Sequence, residues 1–186
     1  VPRFREPVNS ALGVMQEEIT PPQPDYDDPK ELYAFFGLAF YKANVLEHGV
    51  LNLAVALMAQ GNLGVTVDDV NRLYESFDAK TFGHILRVAK ERYRFSDEFS
   101  RELDKALASR NHLAHGFFKK HDINHMSASG RKKMIDELVE IWTHFAKVDR
   151  VMDEYWMSAW EDHGITKDWI DKQMKAYVEA VRPSDA

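Results

Sequence analysis

The chain has no cysteine among its 186 residues, so disulfide staples, thiolate metal sites and a thiol nucleophile are excluded. Glycine-rich signatures are missing too. No G-x-S-x-G turn is there to present a serine nucleophile, and neither G-x-x-x-x-G-K nor G-x-G-x-x-G is there to cradle a nucleotide phosphate. Strand-like alternation of apolar and polar residues is nearly absent, as are internal repeats and low-complexity tracts. A long uninterrupted apolar run is also lacking. The nearest approach, AFFGLAFYKANVLEHGVLNLAVALMA, carries Lys42, Asn44, Glu47, His48 and Asn52 in its middle. Such groups are costly at a bilayer centre, so the stretch reads as a buried amphipathic helix and no membrane contact is expected. No basic and apolar leader is visible at Val1, which together with the absence of cysteine leads to the expectation of a reducing, cytoplasmic setting.

What is present is ordinary globular composition, 45% apolar and 29% charged, in a length that suits one substantial domain. Six of the seven prolines fall within residues 1–29, together with a cluster of acids. This segment is expected to be a flexible proline-rich arm with at most a short helix around Ser10 to Glu18. Residues 30–182 are expected to form an all-α, up-and-down helical bundle with a long C-terminal helix. Leu32, Phe36, Ala39, Ala43, Leu46, Val50, Leu53 and Leu57 follow steps of four and three, which keeps one helical face inward. GNLG closes that helix, and Thr66 or Asp68 can cap a short one through Phe77. A further helix turns Phe82, Ile85, Leu86 and Ala89 inward. Ser96, with Asp97 and Glu98 in the first turn, starts a helix expected to run to about Lys120. HDINHMSASG follows as a loop. The next pattern, from Arg131 to about Asp162, keeps Leu138, Trp142, Phe145, Val148, Met152, Tyr155 and Ala159 on one side and stops at Gly164. A last helix begins at Thr166 and ends before Pro183.

The net charge of −6 is unevenly distributed, with residues 80–133 holding 13 Lys and Arg against 6 Asp and Glu, and the remainder 11 against 24. Within the basic block lies SRNHLAHGFF. Stepping about 100° per residue from Leu103 puts Phe99, Leu103, Ala106, Leu107, Leu113, Ala114, Phe117 and Phe118 in one arc. Arg110 sits at the centre of that arc, Asn111 and His115 at its edge, and His112 is expected to point away. An unpaired guanidinium facing a core costs several kcal/mol, so Arg110 needs either an acceptor or an opening onto a cleft. Glu47, the one acid in the middle of the apolar helix, is a partner by this logic. The structural alternative is an Arg110–Glu47 ion pair and nothing more. The functional one is a pocket in which an anion replaces or supplements that carboxylate.

These residues resemble the HEPN superfamily of helical bundles, whose ribonuclease members carry Arg, a polar residue and, three residues on, His. Here the pattern is Arg110, Asn111, three residues, His115. The resemblance covers residues 30–160 in architecture and six residues in motif. It implies a metal-independent endoribonuclease without cofactor, in which two protomers pack their motif helices into a composite cleft. His115 would be general acid or base, Arg110 would hold the phosphoryl oxygens, Asn111 would fix the imidazole or donate to phosphate, and Glu47 would orient Arg110 or His115. Lys119 and Lys120 would bind the RNA backbone. The role implied is that of a toxin or antiviral defence nuclease with an antitoxin or regulator that the chain does not identify. HEPN toxins silenced by adenylylation carry Tyr two residues after the His, whereas Phe117 stands here, so that control is not expected. Other HEPN domains are noncatalytic modules binding RNA, nucleotide or a protein partner, and that is the rival function.

Two further arrangements compete. His112, His115, His121 and His125 fall within fourteen residues and imidazole suits zinc, nickel or copper. With His112 turned away and the last two in a loop, no metal site is expected. Trp142, Phe145, Tyr155, Trp156, Trp160 and Trp169 could stack bases, but rings at helical spacing are foremost core or subunit interface.

Overall fold

The computed structural model describes Met15, residues 18–60 and residues 65–181. Among the described residues every regular element is helical: α1 Glu31–Ala59, α2 Val67–Glu75, α3 Phe82–Arg92, α4 Asp97–His115, α5 Phe117–Lys120, a 3-10 turn Asn124–Met126, α6 Ala128–Glu161 and α7 Lys167–Val181. The protein is an all-α bundle. The expected short helix near Ser10 falls outside the described residues except at Met15 and Glu18, and the GNLG stop lies wholly outside them.

Capping residues start the helices where their chemistry allows. Thr66 and Asp69 form a reciprocal capping box on α2, the Thr81 side chain accepts from the His84 amide on α3, and that of Ser96 from the Phe99 amide on α4. Ser127 accepts from the Gly130 amide, so α6 begins at Ala128, inside the stretch expected to be loop. Gly130 is required there, because a Cβ would run into the backbone carbonyl of Asn124.

The core is a slab between α1 and α6, with α3 packed on α1 and α4 on both long helices. Leu32, Ala39, Ala43, Leu46, Val50 and Leu53 of α1 are buried as their spacing predicts, against Leu138, Phe145, Val148 and Met152 of α6 among others. Trp142, Phe36 and Leu57 are only partly covered. Around Tyr155 the rings of Tyr93, Phe95 and Phe99 stand at centroid distances of 5.2 Å each. The arm is not loose throughout: the Tyr26 hydroxyl donates to Asp136 at 2.6 Å, and Lys132 lies over its ring. α7 follows a turn at Gly164, where φ is 78°, and buries no residue. No helix among the described residues is long and apolar enough to cross a membrane.

The motif helix departs from the sequence reading in its last turns. It ends at His115, its backbone swings at Gly116, and α5 is a separate turn. The angular count holds for Phe99, Leu103, Ala106 and Leu113, which are buried. Ala114 and Phe118, expected inside, are exposed, and of the two adjacent phenylalanines only Phe117 enters the core.

Candidate functional site

α1 and α4 run antiparallel, with Glu47 beside Arg110 at one point and Phe36 against Phe118 at another. On α4 beyond Arg110, Asn111, Ala114 and His115 are exposed. The Arg110 Nε stands 3.8 Å from the Glu47 Oε2, with the side chains 26% and 19% exposed. That separation is an ion pair and not a hydrogen bond. Glu47 compensates the guanidinium's charge while leaving its forked donors unfilled among the described residues. Burial pushes the Glu47 carboxyl above its ordinary range, and the nearby Arg110 and His48 only partly offset this.

The two histidines of RNHLAH differ in a way opposite to the angular expectation. His112 was expected to face away, yet it is partly buried and its Nε2 meets the Glu137 Oε1 at 2.9 Å. The side opposite α4's core stripe is covered locally by α5 and the first turns of α6, which a single-helix count does not include. Glu137 also receives the His121 Nε2 at 2.8 Å and the Lys120 Nζ at 2.7 Å. His121, placed in a loop by sequence, is 5% exposed, and its Nδ1 meets the Asn124 Nδ2 at 2.8 Å. Burial raises the Glu137 carboxyl, but the bonds from Lys120, His121 and His112 outweigh it and hold the group below the usual range.

The basic block thus separates into two sets. His112, Lys120 and His121 are tied to Glu137, Arg131 donates to the His125 carbonyl, and Lys132 serves Asp136 and Tyr26. Lys120, expected to bind RNA backbone, therefore has a structural partner. Asn111, His115 and Lys119 are exposed and make no side-chain hydrogen bond among the described residues. Among the polar side chains of residues 110–120, these three and the donors of Arg110 are left to meet a ligand. Sequence reasoning missed Glu137. Its only sequence signal is the acid's position on the flank of an otherwise apolar helical stripe.

Among the described residues no group of three or more His, Asp or Glu is arranged to hold a metal ion. A separate cleft of about 540 Å³ between α4 and α6 is lined by Glu98, Glu102, Glu140, Thr143, His144 and Lys147 among others. Its three carboxylates against one lysine disfavour phosphate, and it includes none of the motif residues. Comparison with protein-family models, with curated proteins and with solved structures returns no match for this chain.

Proposed function

We propose that this chain is a metal-independent endoribonuclease of the HEPN type, acting as a homodimer whose two motif grooves meet in one cleft. The observation that carries the reading is the state of Arg110: a partly buried guanidinium, charge-compensated by Glu47 at 3.8 Å yet with its hydrogen-bonding fork unspent, beside exposed Asn111 and His115. A permanently charged fork with unfilled donors is suited to the nonbridging oxygens of a phosphodiester, whose negative charge grows in the transition state.

In the proposed reaction His115 takes the proton of a ribose 2′-hydroxyl as its oxygen attacks the adjacent phosphorus. The bond from phosphorus to the 5′-oxygen breaks, and that oxygen leaves with a proton from the second imidazole of the composite cleft. The products are a 2′,3′-cyclic phosphate and a 5′-hydroxyl, and DNA, lacking the nucleophile, is not cut. Asn111 orients the imidazole or donates to phosphate, and Glu47 orients Arg110. Lys119 adds attraction to the backbone. A toxin or antiviral defence role, with a regulator acting in trans, fits an RNA-cutting activity of this kind.

The test is incubation of unpaired RNA with wild type, Arg110→Ala and His115→Ala in EDTA. Cleavage by wild type, lowered at least about a hundredfold in each variant with folding unchanged, supports the proposal. Activity only on adding Zn²⁺ or Mg²⁺ would replace it with a metal mechanism. An intact dimer that binds RNA but never cuts would make this a noncatalytic module.

A further inference from the structure

Eight residues beyond Arg110 the chain reaches a cluster of aromatic rings. Phe36 of α1 stands 4.9 Å from Phe118 of α5 and 6.2 Å from Phe40, nearly parallel to the latter at 19°. Phe118 is 45% exposed, and Tyr33, one turn before Phe36, is 63% exposed. The break at Gly116 is what turns Phe118 outward, since its neighbour Phe117 is fully buried in the core. Gly37 leaves the flank of this cluster open, with nothing within 4 Å of where its Cβ would be. Scattered exposed rings need no explanation, but Phe118, Phe36 and Phe40 form one cluster with an open flank, Tyr33 lies a turn away, and the unspent donors of Arg110, His115 and Lys119 lie on the same stretch of chain as Phe118.

We propose that Phe118, Phe36 and Tyr33 form a base-stacking subsite for an unpaired RNA strand whose phosphate lies at Arg110. This rests on the ribonuclease reading above and adds to it a second point of contact. The occupant must bring acceptors to Arg110 and flat apolar faces to the rings. An unpaired nucleotide strand has both, whereas a duplex hides its base faces inside the stack. A protein surface seated here would have to desolvate Asn111, His115 and Lys119 as well.

The separation sets how far apart the two contacts lie on the strand. Glu47, which marks the Arg110 end, and Phe36 are eleven residues apart on α1, about 16 Å along the axis. A stacked strand advances roughly 3.4 Å per nucleotide and an unpaired one more, so the held base is at most about five nucleotides from the phosphate at Arg110. A strand too short to span that distance reaches only one of the two points.

The experiment measures binding of uncleavable 2′-O-methyl oligonucleotides by fluorescence anisotropy, using a 12-mer, a 3-mer and the 12-mer annealed to its complement. For Phe118→Ala the expected result is 12-mer affinity weakened roughly ten- to hundredfold, with 3-mer affinity unchanged. Phe118→Trp restores or exceeds wild-type affinity, and the duplex binds weakly to all three proteins. Equal 12-mer binding by wild type and Phe118→Ala, equal losses on 12-mer and 3-mer, or no 12-mer binding by wild type would each overturn the subsite. So would dissociation of a wild-type dimer by Phe118→Ala, which would assign the rings to a second copy of the chain. If wild type shows the length-dependent pattern but leaves cleavable RNA intact, the nuclease reading fails and the subsite stands.

Discussion

Replacing Glu137 by alanine removes the acceptor of three donors at once, and their exposures set the cost. Lys120 is 56% exposed and returns to water, so its 2.7 Å bond contributes almost nothing to the difference. His112 is 28% exposed, and losing its 2.9 Å bond costs about 1 kcal/mol. His121 is the expensive one. Its side chain is 6% exposed, and with Nδ1 accepting from Asn124, Nε2 carries the proton that Glu137 receives. Left without an acceptor, that buried N–H costs about 1–3 kcal/mol. The expected loss for Glu137→Ala is therefore about 3 kcal/mol, measured by urea unfolding at pH 7, and Glu137→Gln, which keeps an acceptor, loses about half of that. The pH dependence has a definite sign. A carboxyl whose folded-state pKa is lowered contributes stability that is fully present above the ordinary carboxylate range and is lost as pH falls through the folded value. The gap between wild type and Glu137→Ala must accordingly narrow on acidification. A loss below about 1 kcal/mol at pH 7, or a gap that widens toward acid, refutes the reasoning.

Lys42→Met strips the ammonium from Asp149, whose side chain is 6% exposed and bonded to the Lys42 Nζ at 2.6 Å. The buried charge left behind is expected to cost about 3–5 kcal/mol in urea unfolding, most of which the double variant Lys42→Met/Asp149→Leu recovers. Tyr155→Phe behaves in the opposite sense. Its hydroxyl is buried without a hydrogen-bond partner among the described residues, and burial pushes its pKa up to about 12. Removing that oxygen is expected to leave the unfolding midpoint unchanged or raise stability by up to about 1 kcal/mol, and a clear loss would reveal an acceptor there.

The helices were legible where one face does one job. The four-and-three spacing of α1, the inward set of α3, and Ser96 as the cap of α4 all follow from periodicity and capping chemistry acting within one element. Arg110 with Glu47 followed from a long-range argument that a core-facing cation needs a counter-charge. The Glu137 cluster did not, because it joins residues 25 and 16 positions away through a chain reversal that helical spacing does not encode. Extrapolating one helix through Gly116 misplaced Phe118, which lies past the break, and His112 lies beneath a turn folded back on its helix, so each answers to a neighbour that single-helix spacing does not include.

α6 is joined to the rest of the bundle by Glu137 toward α4 and α5, by His144 to Glu102 on α4, and by Asp149 to Lys42 on α1. Greasy helices can slide past one another by a turn at modest cost, but here a slip of about 5.4 Å would part all three ties together. They act like the wards of a lock, admitting a single alignment. The span from guanidinium to rings is consequently set by the scaffold, and any ligand that engages both must match a ruler it had no part in making.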